Sequence, residues 1–408
     1  MTTIDNEKQA SMQLSLLKEE EKVQIIIRYW VRILNIKLGW INDFDKLVVK
    51  YITITFMFDT FHLSSKLLKT FTGHTDTVWS IDYSTFDSDL YICSGSEDKT
   101  VRAWDVHTNK QIQLFNHSHP VSCVKFSQHH YQNHCRYVIC FSSDDNIIHF
   151  WDFKNNRQLQ TFNGHTDSVY GIKFSSFNSG GYLCSGSGDK TIRLWSFEAS
   201  ESLHVFNGHA NAVWCVDISS PQNNNNINDI GAIGGNGYTI CSGSWDNTIC
   251  IWDIETTKQL IVFKGHENIV KSVKYSLNIG ANTILSGSND KSVRLWDIRS
   301  GQQIQIFNGH TGYVNAVEYS PFIVDNIEIG GSPNVICSGS RDNTIRFWDI
   351  RSNKKELYAV NGNRKEDYGI LCLKFLQLKK SYKKSDNDCD YDINLCYSSW
   401  NGPIHIWG

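Results

Sequence analysis

Short segments in which apolar and polar residues alternate follow one another from Lys66 to the end of the chain. One set of four segments is VWSIDYS (78–84), YICSGS (91–96), TVRAW (100–104) and QIQLF (111–115). Each segment has the length and the β-branched and aromatic content of a strand. Because alternation places apolar side chains on one face of a strand, the pattern predicts small four-stranded antiparallel sheets that stack face to face.

Residues 1–62 follow a different pattern, with apolar residues at spacings of three and four that are typical of helices. One such stripe contains Val23, Ile26, Ile27, Trp30, Ile33 and Leu34. The most apolar stretch, 47–61, includes Lys50 and Asp59 and is shorter than the roughly 20 apolar residues of a membrane-spanning helix. We therefore predict a helical N-terminal segment over residues 1–62 and a β domain over residues 63–408.

The β segments repeat as a unit, and each copy ends in a tryptophan. The position six residues before that tryptophan is an aspartate in six copies and Asn401 in the last one. Repetition of a whole group of strands indicates one supersecondary unit that is copied along the chain. The seven tryptophans are Trp104, Trp151, Trp195, Trp252, Trp296, Trp348 and Trp407.

These residues resemble the WD-repeat β-propeller family. A second marker of that family, Gly-His before the first strand, occurs at Gly73-His74, Gly164-His165, Gly208-His209, Gly265-His266 and Gly309-His310. Seven copies imply an all-β, seven-bladed propeller behind the short helical segment. The segment 66–71 is similar to a fourth strand without the three preceding strands, and the seventh copy lacks a fourth strand. We therefore expect the strand 66–71 to complete the seventh blade and close the ring.

The resemblance also implies a buried network in each well-preserved copy, in which Asp bonds to His, His to Ser, and Ser to the Trp indole. Phe141 and Tyr397 stand where copies two and seven would have the serine. The same residue types would also suit a Ser-His-Asp hydrolase, but a set repeated five times favours a structural role, and we predict no catalytic residue. The predicted structural tetrads are His74, Ser94, Asp98 and Trp104; His165, Ser185, Asp189 and Trp195; His209, Ser242, Asp246 and Trp252; His266, Ser286, Asp290 and Trp296; and His310, Ser338, Asp342 and Trp348.

Partners of such a propeller bind the upper face, at fixed positions beside the tetrad aspartate and the start of the first strand. In this chain those positions are rich in aromatic residues, which together with arginine are frequent interface anchors. The resemblance therefore implies a peptide-binding surface that includes Trp79, Tyr170, Trp214, Trp245, Tyr313, Arg341 and Trp400. The sequence WDIR, which occurs twice, is similar to a box that docks onto a cullin-RING ubiquitin-ligase adaptor, and Arg299 and Arg351 are the candidate docking residues.

Composition and charge narrow the expected partners, cellular compartment and cofactors. The 39 basic and 42 acidic residues give a net charge of −3, so no nucleic-acid partner is expected. Cysteines recur at equivalent repeat positions and form no Cys-x-x-Cys pair, which favours a reducing intracellular compartment, cytoplasmic or nuclear. The sequence HHYQNHC (129–135) is interpreted as a solvated loop rather than a metal site. We expect no cofactor and no metal.

The resulting prediction is a non-catalytic scaffold that binds peptide segments of other proteins within a multiprotein complex. The alternatives left open are a ubiquitin-ligase substrate receptor and, less favoured by the fivefold repetition, a Ser-His-Asp hydrolase.

Overall fold

A computed structural model describes residues 61, 65–175, 181–197, 199–219, 238–276, 282–320, 335–350, 356–362, 367–379 and 391–408. The predicted helical segment over residues 1–62 lies outside these residues apart from Phe61, and it stays a prediction. Phe61 itself is buried, and its ring packs edge-on against Phe347 with centroids 5.9 Å apart.

The described residues form seven four-stranded antiparallel sheets, which are numbered as blades 1 to 7 in chain order. Blade 1 contains β2 (Val78–Phe86), β3 (Asp89–Ser96), β4 (Thr100–Asp105) and β5 (Lys110–Asn116). Blade 2 contains β6 (Val121–Phe126), β7 (Val138–Ser143), β8 (Ile148–Asp152) and β9 (Arg157–Phe162). Blade 3 contains β10 (Val169–Phe174), β11 (Tyr182–Ser187), β12 (Thr191–Ser196) and β13 (Glu201–Asn207). Blade 4 contains β14 (Val213–Ile218), β15 (Thr239–Ser244), β16 (Ile249–Asp253) and β17 (Gln259–Phe263).

The remaining blades follow the same order. Blade 5 contains β18 (Val270–Tyr275), β19 (Thr283–Ser288), β20 (Ser292–Asp297) and β21 (Gln302–Asn308). Blade 6 contains β22 (Val314–Tyr319), β23 (Val335–Ser340), β24 (Thr344–Asp349) and β25 (Glu356–Asn361). Blade 7 contains β26 (Ile370–Lys379), β27 (Tyr391–Ser399), β28 (Ile404–Trp407) and, as its fourth strand, β1 (Leu67–Phe71). The first strands of the blades contact one another in sequence, and β26 contacts β2. The predicted all-β, seven-bladed propeller is confirmed.

The fourth strand of blade 7 comes from the other end of the propeller sequence. Strand β1 pairs antiparallel with β28, with Thr70 opposite His405 and Phe71 opposite Ile404. Two further backbone hydrogen bonds of 3.2 Å join Lys66 and Gly408 in both directions. Blade 7 is therefore built from two pieces of chain that are remote in sequence. Because β1 is followed in the chain by the first strand of blade 1, the hydrogen bonds between β1 and β28 link the last blade to the first.

The hydrophobic core lies between successive blades. The second strands, such as β7 and β15, are buried along their whole length because a neighbouring sheet covers each of their faces. This close packing explains the glycine of the recurring Ser-Gly-Ser step. A Cβ atom added at Gly95 would lie 2.6 Å from Cγ1 of Val121 in the next blade, and one at Gly243 would lie 2.6 Å from Cγ1 of Val270.

The histidine-rich sequence in blade 2 forms the helix α1 (Gln128–His134), so the prediction of a loop there was wrong. Ser127 stands at the N-cap position, and its hydroxyl bonds to His130 Nδ1 at 2.7 Å rather than to a backbone N–H of the helix. Cys135 ends the helix in the left-handed conformation, and its backbone N–H donates to the carbonyl of Tyr131. In the part of the chain that the structure describes, no helix has the length and apolarity needed for a membrane span.

Candidate functional site

The five predicted tetrads have nearly identical geometry. The histidine Nδ1 lies 2.7–2.9 Å from the aspartate Oδ2. Its Nε2 lies 2.7–2.8 Å from the serine hydroxyl. The tryptophan Nε1–H donates to the same hydroxyl at 2.8–2.9 Å. Each tetrad therefore ties the turn before a blade to the second and third strands of that blade.

Burial decides what the tetrads can do chemically. All five tetrad serines are 0% exposed, so no substrate carbonyl can reach their hydroxyls. Burial by itself would raise the pKa of each tetrad aspartate, but hydrogen bonds from the histidine and from a neighbouring Thr or Ser hydroxyl hold it well below its usual range. The result is a fully hydrogen-bonded buried network, which stabilises a fold when every member is paired.

The tetrad histidines make stability depend on pH. Burial lowers the pKa of His74, His165 and His266 below the ordinary value of 6.5. Burial also acts to lower the pKa of His209, but hydrogen bonds with Asp246 and Cys250 raise it to about 9. The first three groups bind a proton more readily in the unfolded chain, so their contribution to stability is lost as the pH falls below 6.5. The contribution of His209 has the opposite sign and is lost as the pH rises towards 9.

We therefore expect the melting temperature to fall when the pH is lowered from 7 to 5. His209 is already protonated in the folded protein over this range, so most of its contribution is present at pH 7, whereas burial opposes protonation of the other three histidines and of His130, whose pKa it lowers to about 4. The tetrad aspartates add a second loss below about pH 3.8, the ordinary pKa of a free Asp carboxyl. Thermal unfolding followed by circular dichroism across this range measures the effect. The variant His266→Gln, which cannot titrate, should flatten the slope between pH 5 and 7. A melting temperature that rises on acidification would contradict this account.

Blades 2 and 7, which lack the serine, use other partners. In blade 7 Asp367 accepts hydrogen bonds from Tyr397 Oη at 3.1 Å and from His405 Nε2 at 2.8 Å, and all three residues are buried. In blade 2 Phe141 fills the serine position and stacks on His149, and the Trp151 indole N–H has no hydrogen-bond partner among the described residues. The sequence analysis did not predict this replacement network of blade 7. The signal for it is His405, which stands two residues before the repeat tryptophan, where four blades have arginine.

One backbone hydrogen bond per blade gathers the predicted partner-binding residues at a single end of the ring. In each blade the N–H of the residue before the tetrad aspartate position donates to a carbonyl just before the first strand. For example, Trp245 N donates to Ala212 O at 2.9 Å, and Arg341 N donates to Tyr313 O at 2.8 Å. The upper-face positions beside the tetrad aspartate and those at the start of the first strand are therefore adjacent in every blade.

At this end, five aromatic side chains form a continuous group, here named the upper aromatic cluster: Trp79, Tyr170, Trp214, Trp245 and Trp400. Tyr170 stacks on Trp214 with centroids 4.6 Å apart, and Trp214 stacks on Trp245 at 5.9 Å. Trp245 is 37% exposed, whereas the other four are half-buried. The cluster is thus an aromatic surface that solvent still reaches.

The contact between Trp79 and Trp214 crosses the mouth of the central channel. These residues belong to blades 1 and 4, which are not neighbours, and their rings meet edge to face at 6.3 Å. Glu97 Oε2 accepts a 2.7 Å hydrogen bond from Trp79 Nε1 and holds that indole in place. The two indoles partly cover the channel, whose cavity of about 260 Å³ extends below them.

Two cations border the upper aromatic cluster. Lys271 Nζ lies 3.4 Å from the ring centroid of Trp214, and the Arg341 guanidinium lies 4.9 Å from that of Trp400 and 5.7 Å from that of Tyr313. Burial lowers the pKa of Lys271 to about 8. Among the described residues neither cation has a carboxylate partner within ion-pair distance. All seven predicted partner-binding residues therefore lie on one surface. Lys271, another of the upper-face positions that the family resemblance implies, lies there with them.

Deeper in the channel lies a ring of charges that was not predicted. Each first strand contributes one charged side chain at the same position, and neighbouring members form ion pairs such as Lys173 with Asp217 at 2.9 Å and Lys274 with Glu318 at 3.3 Å. Burial would raise the pKa of Glu318, but Lys274 and Lys374 lower it. The signal was present as a charged residue four places after the first valine or isoleucine of each first strand. The ring comprises Asp82, Lys125, Lys173, Asp217, Lys274, Glu318 and Lys374. Five of these line the cavity, and the other two, Asp82 and Asp217, pair with Lys125 and Lys173.

The other candidate residues are dispersed. Arg299 is exposed in the turn after β20, and Arg351 lies outside the described residues. The α1 histidines His129, His130 and His134 have ring centroids 5.7–6.5 Å apart. His129 stacks on Phe197, and His130 bonds to Ser127. The structure therefore does not direct the α1 imidazoles towards one point.

The fold and the repeated tetrads define a repeat protein of the β-propeller class. The family model "WD domain, G-beta repeat" matches six segments that together cover well over half of the chain: 65–105, 109–152, 156–196, 200–253, 257–297 and 301–349. The chain therefore belongs to the WD-repeat family, whose propellers are in general non-catalytic scaffolds for protein interaction.

Similarity to individual proteins is more restricted. The chain is 36% identical over 67 residues to eukaryotic translation initiation factor 3 subunit I from two strains of Saccharomyces cerevisiae. This match covers 16% of the chain and 19% of the relative. It therefore reaches less than two thirds of the length of these relatives.

Proposed function

We propose that the protein is a non-catalytic scaffold that captures a peptide segment of a partner protein on the upper aromatic cluster. The observation that carries this proposal is the continuous group of aromatic rings, contributed by blades 1, 3, 4 and 7, at one end of the ring. Folding alone gives no reason to concentrate large, partly exposed aromatic side chains on a polar propeller end. Aromatic residues with an adjacent arginine are typical of the small set of residues that carry most of the binding energy at interfaces.

The charges around the cluster favour an acidic segment. Lys271 and Arg341 are held over aromatic rings, where they have lost part of their hydration without gaining a carboxylate. A glutamate, an aspartate or a chain-terminal carboxylate placed between them would supply the missing counter-charge. Arg341 offers the planar, two-pronged donor set that a carboxylate accepts. The proposed ligand is therefore a peptide with an acidic group flanked by apolar side chains.

The context we propose is a multiprotein complex in the cytoplasm. The support is the local similarity to a subunit of a translation initiation factor, together with the general role of WD-repeat propellers in assemblies. The predicted function as a ubiquitin-ligase receptor rests on Arg299 and Arg351 alone, and the exposure of Arg299 is the single structural observation in its favour. The hydrolase alternative is disfavoured because the tetrad serines are buried.

Selection from a random peptide library displayed on phage tests the proposal. We expect the selected peptides to contain an acidic residue beside apolar ones, and Glu→Gln or Asp→Asn copies of them to bind more weakly. In the protein, Trp245→Ala and Arg341→Glu should each weaken binding by about 30-fold or more, the effect of losing an interface hot spot of 2 kcal/mol. Fluorescence anisotropy with labelled peptides measures these affinities.

A matched control is available on the outer surface of blade 5. Ile304 is 53% exposed on β21, so Ile304→Ala removes a comparable apolar group far from the channel mouth and should leave binding unchanged. Equal binding by all three variants would refute the proposed site. Selection of peptides without acidic residues would refute its proposed charge preference.

A further inference from the structure

Blade 2 differs from the other blades at several positions that meet around one carboxylate. Its tetrad aspartate, Asp145, accepts from His149 Nε2 at 2.8 Å and from His117 Nε2 at 3.1 Å, both at the oxygen Oδ2. One ligand atom from each of His117, His119 and Asp145 lies within 4.8 Å of the other two. Three imidazoles and a carboxylate are the donors that zinc prefers when no thiolate is present.

We infer that His117, His119, His149 and Asp145 form a zinc-binding site on the upper side of blade 2. Zinc ligands of this kind lie about 2.0–2.2 Å from the metal, which places them roughly 3.4 Å from one another in a tetrahedron. The nitrogens of His117 and His149 already lie near that separation from Asp145 Oδ2. His119 is exposed on its turn, where its Nδ1 lies 2.8 Å from the Ser118 hydroxyl, and a side-chain rotation that gives up this contact would bring it closer.

Asp145 and His149 are held by neighbouring groups, as metal ligands generally are. The second oxygen of Asp145, Oδ1, accepts from the Ser143 hydroxyl and from Ile147 N at 3.0 Å, so Oδ2 stays directed at the imidazoles. Phe141 stacks on the ring of His149 with centroids 4.9 Å apart and planes 14° apart, which fixes the plane of that imidazole. Gln158 Nε2 lies 3.4 Å from His149 Nδ1. Zinc on Nε2 would leave the ring proton on Nδ1, so the Gln158 amide would have to turn its Oε1 towards that proton to accept it.

The local structure does not require His119. In blades 1, 3, 4 and 5 the equivalent residue is Asp or Asn, and its side-chain oxygen accepts from the next backbone N–H at 2.7–2.8 Å. In blade 2 the next residue is Pro120, which has no N–H to donate. The turn has thus lost the reason for Asp or Asn, and histidine stands there instead, beside two further imidazoles.

Replacement of the serine tetrad explains one histidine beside Asp145 in blade 2, but not all three. Blade 7 also pairs an aromatic residue at the serine position with a histidine, His405, that bonds to an aspartate. An aromatic–histidine pair is therefore a workable replacement for the serine tetrad without a metal. Among its described residues blade 7 offers one imidazole to its carboxylate, whereas blade 2 offers three, and that difference is what the zinc site accounts for.

Titration of the full-length, chelator-treated protein with zinc chloride, followed by isothermal calorimetry, tests the inference. We expect one zinc ion per chain at this site, a rise in melting temperature with zinc, and a visible absorption band typical of tetrahedral coordination when Co²⁺ replaces Zn²⁺. His119→Asn restores the residue of blades 4 and 5, and His149→Arg restores the residue of four other blades. Each should weaken zinc binding by about 100-fold or more, because loss of a ligand costs at least as much as the 10–100-fold lost with a hydrogen-bond partner of a ligand.

The control variant is His134→Asn, which removes an exposed α1 imidazole and should leave zinc binding unchanged. Because His119 is exposed, His119→Asn keeps the fold intact and preserves the test even if His149→Arg destabilises the blade. The inference is overturned if no zinc-dependent change in heat or melting temperature occurs. Binding that survives His119→Asn and His149→Arg, or that is lost in His134→Asn, would also overturn it.

Discussion

Removal of residues 1–72 is expected to destabilise the propeller by at least 3–5 kcal/mol relative to removal of residues 1–65. The two shortened chains differ only in residues 66–72, which contain β1. Without β1, the edge of β28 loses its hydrogen-bond partners, and Phe71, which is 2% exposed, no longer packs on Trp104. Loss of one buried phenylalanine side chain alone costs about 3–5 kcal/mol.

Urea unfolding followed by tryptophan fluorescence measures this difference. The chain without β1 should also aggregate, because an open strand edge pairs with other chains. A matched pair of substitutions in the full-length protein keeps the pairing of β1 with β28 and tests the effect of side-chain burial alone. Phe71→Ala should be strongly destabilising, whereas Leu68→Ala, at a side chain that is 45% exposed on the same strand, should change stability by less than about 0.5 kcal/mol. Equal stability of the two shortened chains would show that β1 does not close the ring.

Replacing a tetrad serine by alanine is the second change with a large expected effect. Ser242→Ala leaves His209 Nε2 and Trp252 Nε1 buried without a partner, because both bond to the same hydroxyl. An unsatisfied buried polar group costs about 1–3 kcal/mol, so we expect a loss of about 2–4 kcal/mol. Ser338→Ala in blade 6 should have a similar effect, since its hydroxyl has the same two partners there.

The double variant distinguishes a structural from a catalytic role. Blades 4 and 6 are separated by blade 5, so the two losses should add within about 0.5 kcal/mol. Ser300→Ala is the control: it removes a solvent-exposed hydroxyl that bonds to Asp297 and should cost less than about 0.5 kcal/mol. The free energies come from chemical denaturation of the unaltered protein and the four variants. Loss of a hydrolytic activity on Ser242→Ala alone, with unchanged stability, would contradict the structural role of the tetrads.

Features that repeat along the chain could be predicted from the sequence. Each blade is a local unit, so the spacing from Gly-His to Ser, Asp and Trp places the same four side chains together in five blades. The aromatic character of the upper face could also be predicted, because its positions have a constant offset from the tetrad aspartate. Helix α1 could not, since QHHYQNH has no apolar period and its helix depends on the turn at Ser127 and Cys135.

By itself, the sequence determined the number of blades, the members of each tetrad and the class of residues at the channel mouth, because all of these follow from short-range spacing. Only the tertiary structure decided which residues of different blades touch. The contact of Trp79 with Trp214 and the position of Lys271 over Trp214 join residues of different blades that are far apart in the chain. Their distances depend on the curvature and closure of the whole ring, which no local pattern encodes.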